Sequence, residues 1–232
     1  MKLSIIIPVY NEASTLAPLL ERVLAVPLDD SEIFVVDDGS DNETKTLMQT
    51  AVSEHHVQLL THPQNRGKGT AICTALKHVT GDVVIIQDAD LEYFPEDYVK
   101  LLAVYEKNNA QAVYGVRNLS GRSPLMRWGN HLMTFITNLL FGSKLNDMET
   151  CYKLIDRRLM QSLGLSSRGF EIEAEITSKL LNRGIKIHEA PIKYDHREEG
   201  KKLTPWDGIP TVKTLFKYRF NKQQSQKLQI EN

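Results

Sequence analysis

The feature that most restricts this chain is a set of short, uninterrupted apolar runs: Ile5-Ile6-Ile7-Pro8-Val9, Ile33-Phe34-Val35-Val36 and Val83-Val84-Ile85-Ile86. A strand covered on one face alternates apolar and polar residues. A strand covered on both faces does not, and such β-branched runs belong to parallel sheets flanked by helices. Helical patterns separate the runs. Leu16, Leu19, Leu20, Val23 and Leu24 recur at helical spacing with Ser14 as an expected N-cap, and a polar helix is expected over 42–52. A third strand at 57–61, a glycine-opened helix at 67–78, a helix beginning at Pro95 and a fifth strand at 112–115 complete the alternation. The expected fold is α/β, a doubly wound, mostly parallel sheet flanked by helices.

Beyond Arg117 the pattern changes to a long helix over 124–141, an extended piece at 149–155, helices at 156–163 and 170–181, and a strand at 185–189. With 232 residues, 41% of them hydrophobic and 25% charged, the chain has the size and composition of one globular α/β unit. We expect a single domain over 1–220, with halves at 1–117 and 118–205, a helix at 206–220 and a frayed tail at 221–232. The second half is expected to pack on the same sheet and supply the other wall of a cleft.

A net charge of −1 gives no long-range positive field, so a general nucleic-acid binder is excluded. Cys73 and Cys151 have neither zinc-site nor disulfide-framework spacing, and two buried thiols fit a reducing cytoplasm. The N-terminus has no signal-peptide pattern. The apolar stretch 132–141 is interrupted by Thr134, Thr137 and Asn138 and is shorter than the about 20 apolar residues a membrane span needs. Membrane association is therefore expected only at a surface, through the basic amphipathic stretch 206–220, which equally suits packing on its own domain.

In doubly wound sheets ligands sit at the carboxyl ends of the strands, which is where Asp37-Asp38-Gly39-Ser40 and Asp88-Ala89-Asp90 both fall. Asp88 and Asp90, one residue apart where a strand ends, can reach one hard cation, and Glu92 adds a third oxygen donor. Mg²⁺ or Mn²⁺ bound this way completes its shell with water and phosphate, so the pattern suits a diphosphate ligand. The same spacing also suits solvated loop acids or a helix cap before Pro95. Asp37 can accept hydrogen bonds from a base or ribose, or serve as an N-cap.

The glycine-flanked Asn65-Arg66-Gly67-Lys68-Gly69 lacks Walker A spacing, which argues against a nucleoside triphosphatase, although Lys68 and the helix start can meet an anion. Arg117, Arg122 and Arg127 flank the long helix and suit a phosphate at the end of a lipid, or a solvated basic face. The charged run 194–202 reads as a solvated loop or a lid, and His55-His56 as surface residues.

Taken together, Ile6-Ile7-Pro8-Val9-Tyr10-Asn11-Glu12, Val35-Val36-Asp37-Asp38-Gly39-Ser40, Asn65-Arg66-Gly67-Lys68-Gly69 and Gln87-Asp88-Ala89-Asp90-Leu91-Glu92 resemble, in order and spacing, the family 2 glycosyltransferases. Within that family the chain is most similar to the polyprenyl-phosphate (dolichyl-phosphate) mannosyl- and glucosyltransferases. The resemblance implies a GT-A fold, a nucleotide-diphosphate sugar donor such as GDP-mannose or UDP-glucose, a divalent cation (Mg²⁺ or Mn²⁺), inversion at the anomeric carbon and a polyprenyl phosphate acceptor. It implies that Pro8, Tyr10 and Glu12 line the nucleoside pocket, that Asp37 contacts the base, and that Asp88, Asp90 and Glu92 hold the metal and diphosphate. The last of these is commonly Gln in the family, so Glu92 adds a negative charge.

Asp147 takes the position of a catalytic or acceptor-positioning acid, with Asp90 also at the reaction centre. Arg117 and Arg127 are acceptor-side candidates, while Lys68, Arg197, Lys201 and Lys202 are donor-side ones. The implied location is cytoplasmic, at the inner membrane surface. An ionised phosphate acceptor needs no strong general base, whereas a hydroxyl acceptor does. Three other readings stand beside this one: the same donor with a saccharide or other hydroxyl acceptor, a nucleotide-binding scaffold without turnover, and, on metal grounds alone, a nucleotidyltransferase that releases pyrophosphate.

Overall fold

The computed structural model describes residues 1–55, 57–196 and 208–221. His56, the segment 197–207 with Arg197, Lys201, Lys202 and Trp206, and the tail from 222 lie outside the described residues. The expectations for the His55-His56 pair, the lid and the fraying tail therefore fall wholly or partly there.

Among the described residues seven strands form one sheet: β1 (Leu3–Val9), β2 (Ser31–Asp37), β3 (Gln58–Thr61), β4 (Val83–Ile86), β5 (Ala112–Arg117), β6 (Lys153–Asp156) and β7 (Ile187–Ile192). The described helices are α1 (Ala13–Leu24), α2 (Asn42–His55), α3 (Lys68–Ala75), α4 (Tyr98–Asn108), α5 (Pro124–Phe141), α6 (Arg157–Ser162), α7 (Ile172–Asn182) and α8 (Gly208–Phe220), with a 3₁₀ turn at Pro95–Asp97 ahead of α4. The sheet order is β3-β2-β1-β4-β6-β5-β7. β1 sits between β2 and β4, parallel to both, and Ile5, Ile6 and Ile7 have no solvent exposure. That double coverage is why the run is apolar without alternation.

β6 is the exception to parallel pairing. It runs antiparallel to β4 and β5 and separates them, so the second half of the chain enters the middle of the sheet and also adds β7 beside β5. The extended piece expected over 149–155 is thus a four-residue strand shifted toward the C-terminus. Lys153 begins it with a buried ammonium, satisfied by the carbonyls of Met148 and Thr150 and by Glu173 at 2.6 Å.

Ser14 does not cap α1. It lies inside the helix; Glu12 takes the cap position, and the Thr15 hydroxyl bonds back to its carboxylate at 3.1 Å. α5 buries Asn130, Thr134 and Thr137 and packs Met133, Ile136 and Leu140 onto Met148 of the following loop, Ala174 of α7 and Leu215 of α8. Its other side leaves Leu125, Trp128, Phe135 and Leu139 exposed.

Candidate active site

The carboxyl ends of β1, β2 and β4 open into a cleft of about 660 Å³ that α5 and the start of α7 close from the other side. Three local turns shape it. Asn11 turns at φ +52, accepts the Asp41 amide on its side chain at 2.9 Å and gives its own amide to Ser40 Oγ at 3.1 Å. The exits of β1 and β2 are thereby stapled together, with Tyr10 and Glu12 on the cleft wall. Gly39 has φ +76, and a Cβ there would meet the Gln64 backbone at 2.3 Å, so only glycine admits that approach. Leu91 turns at φ +62 between Asp90 and Glu92, a backbone region costly for a residue with a side chain and found where a loop shape is imposed.

Pro8, Tyr10, Glu12, Lys68, Asp88, Asp90, Glu92 and Arg117 all line this cleft. Asp37 does not. Its side chain is buried, with Oδ1 accepting the Ser40 amide at 2.8 Å, and it borders a separate recess beside Lys45 and His62. Asp38 lines the cleft instead. It accepts the Arg66 and Gly67 amides at 3.0 and 2.7 Å, and His62 Nδ1 lies 2.6 Å from its Oδ1. The two acids share a motif but leave the strand on opposite sides, as neighbours in an extended chain do.

Lys68 reaches Asp88 at 2.7 Å and Glu173 at 3.1 Å. Burial alone would lower its ammonium pKa; the carboxylates of Asp88 and Glu173 override that and hold it well above its ordinary value. Glu92 is engaged by the Tyr194 hydroxyl, lies 3.9 Å from Arg122 and has His196 at 3.4 Å. It therefore joins the first half of the chain to the segment after β7, a link its place in the motif did not reveal. Asp147 is buried behind Arg117, whose Nε and guanidinium amino nitrogen reach it at 2.7 and 2.8 Å; it is not part of the cleft lining. Arg127 points away on the exposed side of α5, between the cleft residues Met126 and Trp128.

Glu149 and Glu173 also line the cleft, and no spacing in the sequence singled them out. Burial pushes the Glu149 carboxyl above its ordinary range, with Arg117 opposing. With Asp38, Asp88, Asp90 and Glu92 they set a surplus of carboxylates against Lys68, Arg117 and Arg122, a lining that favours a cation. Among the described residues no group of three or more His, Cys, Asp or Glu forms a ready-made metal cage. Hard cations that take one or two carboxylates and complete their shell with phosphate need no such cage, and Asp88 and Asp90, both on the cleft lining, offer the carboxylates for that demand.

The order of the sheet and the cleft at its strand ends define a GT-A architecture. Glucosyl-3-phosphoglycerate synthase from Mycobacterium tuberculosis, solved with Mn²⁺, uridine diphosphate and phosphoglyceric acid, superposes with a TM-score of 0.74 over 94% of this chain and 78% of that one, at 17% identity. The profile of glycosyl transferase family 2 matches residues 4–164, and the chain belongs to that family. It is 29% identical over 221 residues to undecaprenyl-phosphate 4-deoxy-4-formamido-L-arabinose transferase of Shewanella sediminis, covering 92% of this chain and 64% of that protein. It is 28% identical over 226 residues to dolichol-phosphate mannosyltransferase of Pyrococcus furiosus, covering 94% and 62%. The chain thus spans less than two thirds of the length of these curated relatives.

Proposed function

We propose that this chain transfers a hexose from a nucleoside-diphosphate sugar to a polyprenyl phosphate, with inversion at the anomeric carbon. The observation that carries the reading is the junction of two unlike surfaces. The carboxylate floor at Asp88 and Asp90 shares one cleft with Leu125 and Trp128 of α5, from which an exposed apolar side continues to Phe135 and Leu139. A soluble charged donor suits the first surface and an acceptor with an apolar tail the second. The names of the relatives from Shewanella sediminis and Pyrococcus furiosus, both polyprenyl-phosphate sugar transferases, support the same acceptor class.

Asp88 and Asp90 would hold Mg²⁺ or Mn²⁺, which when bound supplies charge neutralisation for the departing diphosphate. Tyr10 and Glu12 flank the nucleoside, and Lys68 offers a second cation to the diphosphate once a metal engages Asp88. Arg122, with Nε lacking a hydrogen-bond partner among the described residues and its side chain 9% exposed, orients the acceptor phosphate beside Arg117. An acceptor oxygen then bonds to the anomeric carbon as the bond from that carbon to the diphosphate breaks. The phosphate is already ionised at neutral pH, so Asp147 acts by fixing Arg117. The site works at a membrane surface on the cytoplasmic side, and among the described residues no helix is long and apolar enough to cross a membrane.

One observation favours a hydroxyl acceptor as the second reading: Glu149 faces the cleft with a raised pKa, the state that suits a general base. Incubation of the full chain with Mn²⁺, GDP- and UDP-sugars and short-chain polyprenyl phosphate, with products identified by mass, decides between them. Sugar on lipid phosphate is the expected result, and Asp90→Ala is expected to remove it. Transfer to saccharides alone, with no lipid product from any donor, would overturn the lipid reading in favour of the second.

A further inference from the structure

Glu175 sits on α7 with no solvent exposure and outside the cleft lining. Its two oxygens nevertheless accept from the Ser166 amide at 3.0 Å, the Ser166 hydroxyl at 3.1 Å, the Ser167 amide at 2.7 Å and the Tyr218 hydroxyl of α8 at 2.6 Å, with Lys179 at 2.6 Å. Two consecutive backbone amides are thereby fixed by one carboxylate. Tyr218 also lies 3.2 Å from the Ser166 hydroxyl, and its carbonyl accepts from Asn182 at 2.8 Å, which locks the C-terminal end of α8 against α7.

The segment held in this way is the bed of the Gly67-Lys68-Gly69 turn. A Cβ on Gly67 would come within 2.3 Å of the Arg168 carbonyl oxygen, and one on Gly69 within 2.3 Å of the Ser167 carbonyl oxygen. The Thr70 amide donates to that same Arg168 carbonyl at 3.2 Å. These are backbone-to-backbone contacts with no rotamer to absorb a shift, so a displacement of 166–168 passes directly into the turn. Lys68 stands between the two glycines and extends to Asp88 and Glu173, and Glu173 is carried by α7 two residues before Glu175.

We propose that Glu175 and Tyr218 are positioning residues for the 66–70 turn, so that α8 sets where Lys68 stands at Asp88 although Tyr218 touches nothing in the cleft. The consequence for donor binding rests on the role proposed above for Lys68.

The test uses the full chain with Tyr218→Phe, which deletes a single oxygen, and Glu175→Gln. Phe216→Ser, on the exposed side of the same helix, is the control. Hydrogen exchange is followed by segment, and binding of GDP and UDP with Mn²⁺ by calorimetry. Both variants are expected to speed exchange over 66–72 as well as 165–170 and to weaken nucleoside-diphosphate binding about 5- to 10-fold, less than the full loss of a charge-assisted hydrogen bond because Lys68 is displaced and not removed; the control does neither. Faster exchange confined to α8 and 165–170, with binding unchanged, would overturn the proposal. Faster exchange at 66–72 with unchanged binding keeps the positioning role and instead overturns the donor role of Lys68. If Glu175→Gln does not fold, Tyr218→Phe alone carries the result.

Discussion

Arg117 and Asp147 meet through two side-chain contacts of 2.7 and 2.8 Å, the Arg117 amide adds a third at 3.2 Å, and both side chains are more than nine-tenths buried. Removing one partner of such a pair leaves the other charge unpaired at the cleft wall, where its side chain has little access to water. Asp147→Ala is therefore expected to destabilise the fold by about 3–5 kcal/mol, read by urea denaturation. Arg117→Ala combined with it should cost clearly less than the sum of the single changes. A loss under 1 kcal/mol would mean that water solvates the pair after all. The same residue marks a limit of sequence reading. Its acidity and place after α5 were legible, but its burial behind Arg117 depends on β5 and the loop before β6 meeting in space. Asp37 and Asp38 give a second case: adjacent identical residues differ in role because the strand sends one under the Ser40 turn and the other into the cleft.

Strands were the most legible elements, because burial on both faces demands β-branched apolar runs whatever lies around them. The order of those strands was not legible. β6 has four residues, starts with a lysine and enters between β4 and β5 in the opposite direction, a placement fixed by where the chain returns after α5. The exposed side of α5 was hidden for a related reason. Its apolar residues are spread around the helix, and only the packing of Met133, Ile136 and Leu140 against α7 and α8 leaves Leu125, Trp128, Phe135 and Leu139 uncovered. The stretch 206–220, read from the sequence as a helix that either lies on a membrane or packs on its own domain, forms α8 over Gly208–Phe220; it packs on α5 and α7 through Leu215 and Tyr218 and leaves Phe216 and Phe220 exposed. Trp128→Ser with Phe135→Ser is expected to change stability by no more than about 0.5 kcal/mol per site, since neither side chain is buried. The pair should release the chain from anionic lipid vesicles in co-sedimentation. Binding equal to that of the parent chain would place the membrane contact elsewhere.

Across the whole molecule, buried carboxylates tie segments that are distant in sequence. Glu32 joins β2 to Ser4, Lys2 and the Thr80-Gly81 turn, and Glu175 joins α7, α8 and the bed of the glycine turn. Burial alone would raise both carboxyls. The hydrogen bonds from Ser4, Thr80 and Lys2 to Glu32, and from Lys179, Tyr218 and Ser167 to Glu175, win and hold each down at about 2, against an ordinary 4.5. A folded pKa below the unfolded one gives stability that is fully present above the unfolded value and lost as pH falls through the folded one. Stability should therefore hold above pH 4.5 and decline between 4.5 and about 2, with the Glu175 shift linked to about 3 kcal/mol of that fall. Urea denaturation at a series of pH values should show a shallower acid decline in Glu175→Gln; an unchanged slope would mean that other groups set it. The sequence by itself determined the α/β class, the strands and the acidic motifs at their ends, because those follow from local burial and local spacing. Only the tertiary structure decided that Asp38 rather than Asp37 lines the cleft, that Asp147 pairs with Arg117, and that Glu149, Glu173 and residues of α8 border the same cleft. Those facts depend on contacts between residues tens of positions apart, and no local pattern encodes them.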